Sequence, residues 1–214
     1  QRDRVPALHR RIAAWMAAND SPIESVRSSI KAGDWEQAGR TMMACIPLIL
    51  SVQAPALATA LEPMAHRANE VPGLFELLAA TAFHMQRRDY SAMRRDTAEA
   101  REYLDTAPPE LRASAAIMLQ LFEQAGCRMT GDSIGQIEVC RSILSMLDQT
   151  PRRQVPLARH FRAIATNNLG VGQLWTDDID DAERSLADAE HQLHDLGMDL
   201  AVLNAASYHA LLDA

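Results

Sequence analysis

Two histidines and two carboxylates near the end of the chain have the residue types and spacing of metal ligands. His191 and His194 lie close to Asp188 and Asp195, and side chains three or four positions apart share one face of a helix. Imidazole and carboxylate groups both bind divalent metals, but a stable site needs three or four ligands. No third and fourth ligand is evident from the sequence. We therefore expect a solvated polar face here and no metal site.

A second group of side chains with binding chemistry is an arginine cluster. Arg152, Arg153, Arg159 and Arg162 surround His160, and Arg159 and Arg162 are three positions apart, on one face of a helix. Guanidinium groups bind phosphates and carboxylates through paired hydrogen bonds. The cluster could therefore bind a phosphate or an acidic partner peptide. The alternative is an ordinary surface held by salt bridges.

A third group combines amides with an aromatic ring. Asn167 and Asn168 offer hydrogen-bond donors and acceptors, and Trp175 offers a flat apolar surface. Such a combination suits a sugar or a peptide backbone. The alternative is that the tryptophan belongs to the core and the asparagines bridge helices. The predicted ligand or partner groove consists of Asn167, Asn168, Val171, Trp175, Arg159 and Arg162.

The sequence offers no recognisable catalytic centre. It contains no G-x-S-x-G nucleophile motif and no G-x-x-x-x-G-K-[ST] phosphate loop. Cys45, Cys127 and Cys140 are far apart and form no C-x-x-C pair, which favours buried thiols in a reducing cytoplasm. We expect a protein region without enzymatic activity and without a cofactor.

Composition favours a helical fold. Of 214 residues, 48% are hydrophobic but only 5% are aromatic, so the core is built mainly from Ala, Leu, Ile, Val and Met, which favour closely packed helices over a β-sandwich. The net charge of −7 argues against direct nucleic-acid binding. No apolar run reaches the roughly 18 residues of a membrane span. We therefore expect a cytoplasmic, all-α protein.

Helical periodicity predicts about eleven helices joined by short turns. Four of the turns share an aspartate in the position of a helix N-cap, at Asp34, Asp89, Asp132 and Asp178. Their spacing of 43 to 55 residues is loose, but it overlaps the roughly 34 to 47 residues of helical-pair repeats. Such pairs stack into a superhelix with a concave surface. The prediction is a superhelical solenoid of antiparallel helix pairs; the alternative is an irregular all-α bundle.

The pair of helices around residues 166–189 resembles a tetratricopeptide repeat. Leu169 and Gly170 occupy the Leu-Gly position of the first helix, and Ala182, Leu186 and Ala189 occupy the apolar positions of the second helix. The resemblance implies that the second helix packs directly on the backbone at Gly170. The large aromatic residues of the family's first helix are replaced here by Thr166 and Gln173, so the repeats are divergent.

Residues 8–42, "LHRRIAAWMAANDSPIESVRSSIKAGDWEQAGRTM", carry a more particular resemblance. They are similar to the segment that follows the ATPase module in the large ATP-binding, MalT-type regulators of the LuxR family. The match includes "LHRR" from Leu8, Trp15, and "AGDWE" from Ala32 to Glu36. A similar region also follows the kinase domain of some actinobacterial serine/threonine kinases.

The resemblance implies a regulatory role. Residues 1–50 are then junction helices that follow an upstream ATPase-like module, and residues 51–214 are a tetratricopeptide-like sensor region truncated at its C-terminus. The sensor would bind a small effector molecule or a partner protein in its concave groove and act on its own upstream ATPase or kinase module. His9 and Trp15 are expected to pack at that junction. The alternatives are the regulatory region of a serine/threonine kinase and a plain oligomerisation scaffold.

Overall fold

The computed structural model describes residues 4–212, apart from the side chain of Ile46, and within them the fold is entirely helical. This confirms the predicted all-α class, and no strand occurs in the described part of the chain. Twelve α-helices and two short 3-10 turns, at Leu104–Thr106 and Arg152–Gln154, follow one another. The α-helices are α1 (Arg4–Ala18), α2 (Pro22–Lys31), α3 (Trp35–Ala44), α4 (Ile46–Ile49), α5 (Ala54–Ala68), α6 (Leu74–Gln86), α7 (Tyr90–Glu102), α8 (Pro109–Thr130), α9 (Ser133–Gln149), α10 (Ala158–Leu174), α11 (Ile179–Asp195) and α12 (Asp199–Leu212).

The described residues hold one helix more than the eleven expected, because a proline separates α4 from α3. Pro47 lies in the first turn of α4, where the missing N–H needs no helical partner. Pro63, by contrast, lies inside α5, which continues through it to Ala68. Proline therefore lies at the start of a new helix at position 47 and is accommodated inside a helix at position 63.

Six of the helix joints have the same backbone geometry. In each, one residue with a positive φ of 52° to 74° lies two positions before the first residue of the next helix. The N–H that follows it donates to the carbonyl five residues earlier, over 2.9 to 3.1 Å. This is the Schellman arrangement that ends a helix. The residues with positive φ are Asp20, Gly33, Arg88, Gly131, Asp177 and Gly197.

The aspartate caps are confirmed at three of the four predicted joints. The carboxylates of Asp34, Asp89 and Asp132 accept from the backbone N–H three residues later, at 3.2, 3.1 and 2.9 Å. Each bond satisfies an amide that has no partner within the helix. The prediction was wrong for Asp178, which precedes α11 but makes no side-chain capping bond. That helix instead has Asp180 and Asp181 in its first turn, where the helix dipole favours negative charge.

The helices form two compact units, which divide between Thr106 and Ala107. In the first unit, α2 packs on α1, α3 and α5, and α3 also packs on α6. The pair α2–α3 therefore contacts the pair α5–α6 helix by helix, and α7 follows on α6. Gly39 allows α3 to approach α6, because a Cβ there would lie 2.3 Å from the ring of Phe75. The predicted boundary near residue 50, between the junction helices and the sensor region, stays a prediction.

In the second unit, α10 is the central helix. It packs on α9 and α11, its sequence neighbours, and also contacts α8 and α12. A Cβ at Gly170 would lie 2.8 Å from Cγ of Leu186 on α11, and a Cβ at Gly172 would lie 2.9 Å from Cγ1 of Ile137 on α9. The close approach predicted at Gly170 is confirmed, with Ala182, Leu186 and Ala189 fully buried. The second glycine contact, at Gly172, was not predicted.

Candidate functional site

A pocket of about 280 Å³ opens where α10 begins and where α9 and α11 end. Antiparallel pairing brings these three helix ends together, because α10 runs opposite to both of its sequence neighbours. The pocket unites three arginines of the predicted cluster with apolar and polar groups of α9 and α11. Its lining consists of Leu147, Arg152, Ala158, Arg159, Arg162, Gln192, Asp195 and Leu196.

The connection between α9 and α10 fixes the position of Arg152. Thr150 precedes a proline and is extended, as the clash with the proline ring requires, so α9 ends at Gln149. The 3-10 turn that follows is tied to the unit by the hydroxyl of Ser114 on α8, which donates to the carbonyl of Gln154 at 3.3 Å. Val155, the residue that follows the turn, is only 1% exposed and anchors the same end of the turn in the core. Arg152 is thus held on a turn that is secured at its end.

The three arginines of the pocket differ in their partners. Arg162 donates from Nη2 to Oδ1 of Asp148 at 2.5 Å. In the described part of the chain, Arg152 and Arg159 have no carboxylate within ion-pair distance. The pocket's own carboxylate, Asp195, lies 3.8 Å from Nε2 of His191. Two guanidinium groups therefore face the pocket with their hydrogen-bonding capacity unused by protein acids.

The charge of Arg159 affects its neighbour on α10. Burial, and then the positive charge of Arg159, lower the pKa of His160 below its ordinary value of 6.5. Within residues 4–212, the Nδ1 atom of this half-buried ring is buried and has no hydrogen-bond partner. His160 is consequently favoured in its neutral form, and its ring reports on the charge at Arg159.

The predicted asparagines lie elsewhere in the second unit, and they bridge helices. The carboxamide of Asn168 accepts from Nη1 of Arg128 on α8 at 2.6 Å, and Asn167 donates to Oδ1 of Asn204 on α12 at 3.2 Å. Arg128 also donates to the hydroxyl of Tyr208 at 3.1 Å. Asn167 and Asn168 are 6% and 7% exposed, so their amides chiefly join α8, α10 and α12. This arrangement agrees with the alternative interpretation of the two asparagines, in which they bridge helices.

The remaining predicted groove residues are not brought together with the arginines. Val171 is buried, whereas Trp175 follows the last residue of α10 and is 63% exposed. Arg159 lies in the first turn of the same helix, about 24 Å away at 1.5 Å per residue. One small ligand cannot contact both ends of α10. The six residues therefore divide into two arginines at the pocket, two buried asparagines that bridge helices, a buried valine and an exposed tryptophan.

The metal candidates of α11 form no ligand cluster. In residues 4–212, no group of three or more histidine, cysteine or carboxylate side chains is arranged to hold a metal ion. His191 lies near Asp195 on the same exposed helix face, as expected for a solvated polar surface.

Sequence reasoning placed the arginines but missed most of their neighbours. Gln192 and Leu196 come from the end of α11, some 30 residues further along the chain, and Asp195 was considered only as a metal ligand. The end of α11 could have been placed at this site from the topology, because in an antiparallel helix pair the end of the second helix lies beside the start of the first. Arg128 and Tyr208 were also missed, because nothing in their local sequence indicates a bridge between helices.

Comparison with known proteins identifies no relative. No protein-family model matches the chain, and no curated protein or solved structure is significantly similar to it. Among the helices of residues 4–212, none combines the length and the apolar character needed to cross a membrane.

Proposed function

We propose that this chain is a non-catalytic sensor or interaction region built from tetratricopeptide-like helix pairs. It would belong to a larger cytoplasmic signalling protein of bacteria, with a MalT-type regulator of the LuxR family as the first candidate. The observation that carries the proposal is the close packing of α10 against α11 at Gly170, with small residues on the facing helix. Fully buried alanines at positions 182 and 189 fit the same repeat pattern.

The order of helix contacts in the second unit supports this architecture. The helices α8, α10 and α12 contact one another in series, while α9 and α11 each pack between consecutive members of that series. Repeat proteins are built in this way, from pairs that each bury their apolar face against the next pair. The six similar joints add support, since one turn geometry recurs along the chain.

The assignment to a LuxR-type regulator has its support in residues 8–42, which form α1, α2 and α3. The sequence similarity in this segment includes the joint at Gly33 and Asp34, and the guanidinium of Arg10 lies 3.9 Å from the Asp34 carboxylate. On α1, Val5, Leu8 and Trp15 are each more than half exposed. An apolar surface on a first helix suits a junction with a preceding module.

A scaffold without a ligand is the second candidate, and the apolar surface of α12 favours it. Leu200, Leu203 and Leu211 are 45%, 62% and 56% exposed. Exposed apolar side chains on one helix can mediate self-association. Two measurements distinguish the two functions. For a scaffold, we expect light scattering to give a particle size that grows with protein concentration. For a sensor, we expect a ligand to shift the thermal unfolding temperature.

The gene context tests the proposal directly. For a MalT-type regulator, we expect a G-x-x-x-x-G-K-[ST] phosphate loop upstream of the chain and a helix-turn-helix downstream. A kinase catalytic domain upstream would instead support the kinase alternative. A gene that encodes no further domain would contradict the sensor proposal and leave the scaffold.

In the full protein, output must also depend on the sensor. Binding biases a switch only when the ligand prefers one conformational state over another. Charge-removing substitutions in the arginine pocket are therefore expected to change regulation of the switch while the protein stays folded. Unchanged regulation would remove the pocket from the proposed mechanism.

A further inference from the structure

We infer that the pocket at the start of α10 binds the oxyanion of a small molecule, a phosphate or a carboxylate group, through Arg152 and Arg159. The inference names the ligand class of the sensor region, and its biological meaning rests on the proposed function. The binding itself depends only on the second unit.

Guanidinium groups from two different elements converge on the pocket. Arg159 and Arg162 project from adjacent turns of α10, and Arg152 comes from the 3-10 turn before it. Of these three arginines, only Arg162 is held by a carboxylate of the described residues, that of Asp148. Arg152 and Arg159 can therefore donate in pairs to an oxyanion without first breaking a protein salt bridge.

The arginines of the pocket lie in a unit whose net charge is negative. From Ala107 onward the chain has 8 arginines, no lysine and 15 aspartates and glutamates, which gives −7, whereas the first unit is neutral. Three of those eight arginines line one pocket, and after Asp148, which pairs with Arg162, and Asp195 in the lining are counted, one formal positive charge remains in excess there on an acidic unit. Such a local field attracts an anion even where the whole unit repels it.

The size and lining of the pocket suit a small molecule. A volume of about 280 Å³ is close to the lower limit of roughly 300 Å³ for small-molecule sites. Leu147, Ala158 and Leu196 supply an apolar wall, so the ligand is more than a bare ion. These dimensions favour a small metabolite over an extended acidic peptide.

Two polar groups define the rest of the ligand. Gln192 can donate and accept hydrogen bonds, and an ionised Asp195 can only accept. Because a carboxylate repels a second anion, the part of the ligand beside Asp195 must carry a donor, such as a hydroxyl group. The expected ligand is therefore a small hydroxylated molecule with one oxyanion.

The test is calorimetric titration of the chain with four probes: glycerol 3-phosphate, 3-hydroxybutyrate, neutral glycerol and a hexaglutamate peptide. The first two distinguish a phosphate from a carboxylate, and the third removes the charge. Arg159→Gln and Arg152→Gln remove pocket charges, each in a separate variant. The matched control is Arg153→Gln, because Arg153 lies on the same turn as Arg152, is exposed and does not line the pocket.

We expect saturable binding of at least one of the two small anions, none of glycerol, and a loss of affinity with rising ionic strength. Loss of a charged hydrogen-bond pair should weaken binding about tenfold in each pocket variant, against less than twofold in Arg153→Gln. Circular dichroism confirms folding of each variant, and the two pocket variants provide independent tests.

Three outcomes overturn the inference: no saturable binding of either small anion, an equal loss in the control variant, or binding of hexaglutamate alone. None of them bears on the sensor proposal, which the gene context tests separately. Conversely, a gene without signalling domains would contradict the sensor function and leave a measured anion site intact.

Discussion

Substitution of Gly170 by alanine tests the close packing of α10 against α11. The added methyl carbon would lie 2.8 Å from Cγ, 3.1 Å from Cδ2 and 3.1 Å from the backbone nitrogen of Leu186. Carbon atoms in favourable contact are about 3.5 to 4.0 Å apart. Leu186 is fully buried, so it has little room to move away, and the two helices must separate or distort.

The size of the effect follows from two opposing terms. Alanine in a helix interior is favoured over glycine by about 1 kcal/mol. Overpacking a well-packed core costs about 1 to 3 kcal/mol, and more where backbone is involved. The difference is a loss of about 0 to 2 kcal/mol, and because one of the three close atoms is the backbone nitrogen of Leu186, we expect the upper half of that range. The free energy of unfolding should therefore fall by about 1 to 2 kcal/mol, measured by urea denaturation with far-UV circular dichroism.

A double-mutant cycle with Leu186→Ala assigns the cause. The single Leu186→Ala change is expected to cost about 2 to 5 kcal/mol, but it also removes the two side-chain atoms that the new methyl would meet. The double variant should therefore be more stable than the sum of the single changes by about 1 kcal/mol or more. If Gly170→Ala is neutral or stabilising, or if the two changes simply add, the close approach of the helices is refuted.

Three further predictions concern single side chains. Asp34→Ala should lower the free energy of unfolding, measured in urea, by about 1 kcal/mol, because it removes a capping bond. Asp178→Ala should have a smaller effect, because the Asp178 carboxylate makes no capping bond. Equal losses in the two variants would contradict the assigned caps. Burial raises the pKa of Cys45 to about 12, so this thiol should react with a disulfide reagent only after unfolding, and reaction in the folded state would contradict its burial. Because folding lowers the pKa of His160, the unfolded chain binds the proton more readily than the folded chain. The contribution of this histidine to stability is therefore complete above pH 6.5 and is lost as the pH falls. Arg159→Gln should raise the pKa of His160 in an NMR titration, and an unchanged value would refute the charge effect.

The sequence was informative where local chemistry determines local structure. Aspartates at helix starts predicted three caps, and glycine at position 170 predicted a close contact. An aspartate carboxylate accepts from the unpaired N–H groups at a helix start, and glycine has no side chain that would keep two helices apart. Arg88 shows the limit of this reasoning: it adopts a positive φ of 60° at a joint, where its residue type would not suggest it.

The candidate site was predicted only in part, for a topological reason. Arg159 and Arg162 are close in the sequence, so their common helix face could be read directly. Their grouping with Asn167 and Trp175 assumed that one face of α10 lines one groove. In the structure the pocket forms instead at the end of the helix, with Gln192 from α11. Contacts between distant segments depend on how the helices pair, and helix periodicity alone does not specify that pairing.

Recognition of an anionic effector by the second unit is tested most directly by mapping backbone amide shifts in NMR spectra during titration with glycerol 3-phosphate and, separately, with 3-hydroxybutyrate. We expect saturable shifts, with at least one of the two probes, that are concentrated at Arg152, Arg159 and Gln192 and are lost in Arg159→Gln. Saturable shifts centred on Asn167, Asn168 and Trp175 would place recognition in the groove predicted from the sequence. That result, or the absence of saturable shifts with both probes, would contradict anion recognition at the arginine pocket.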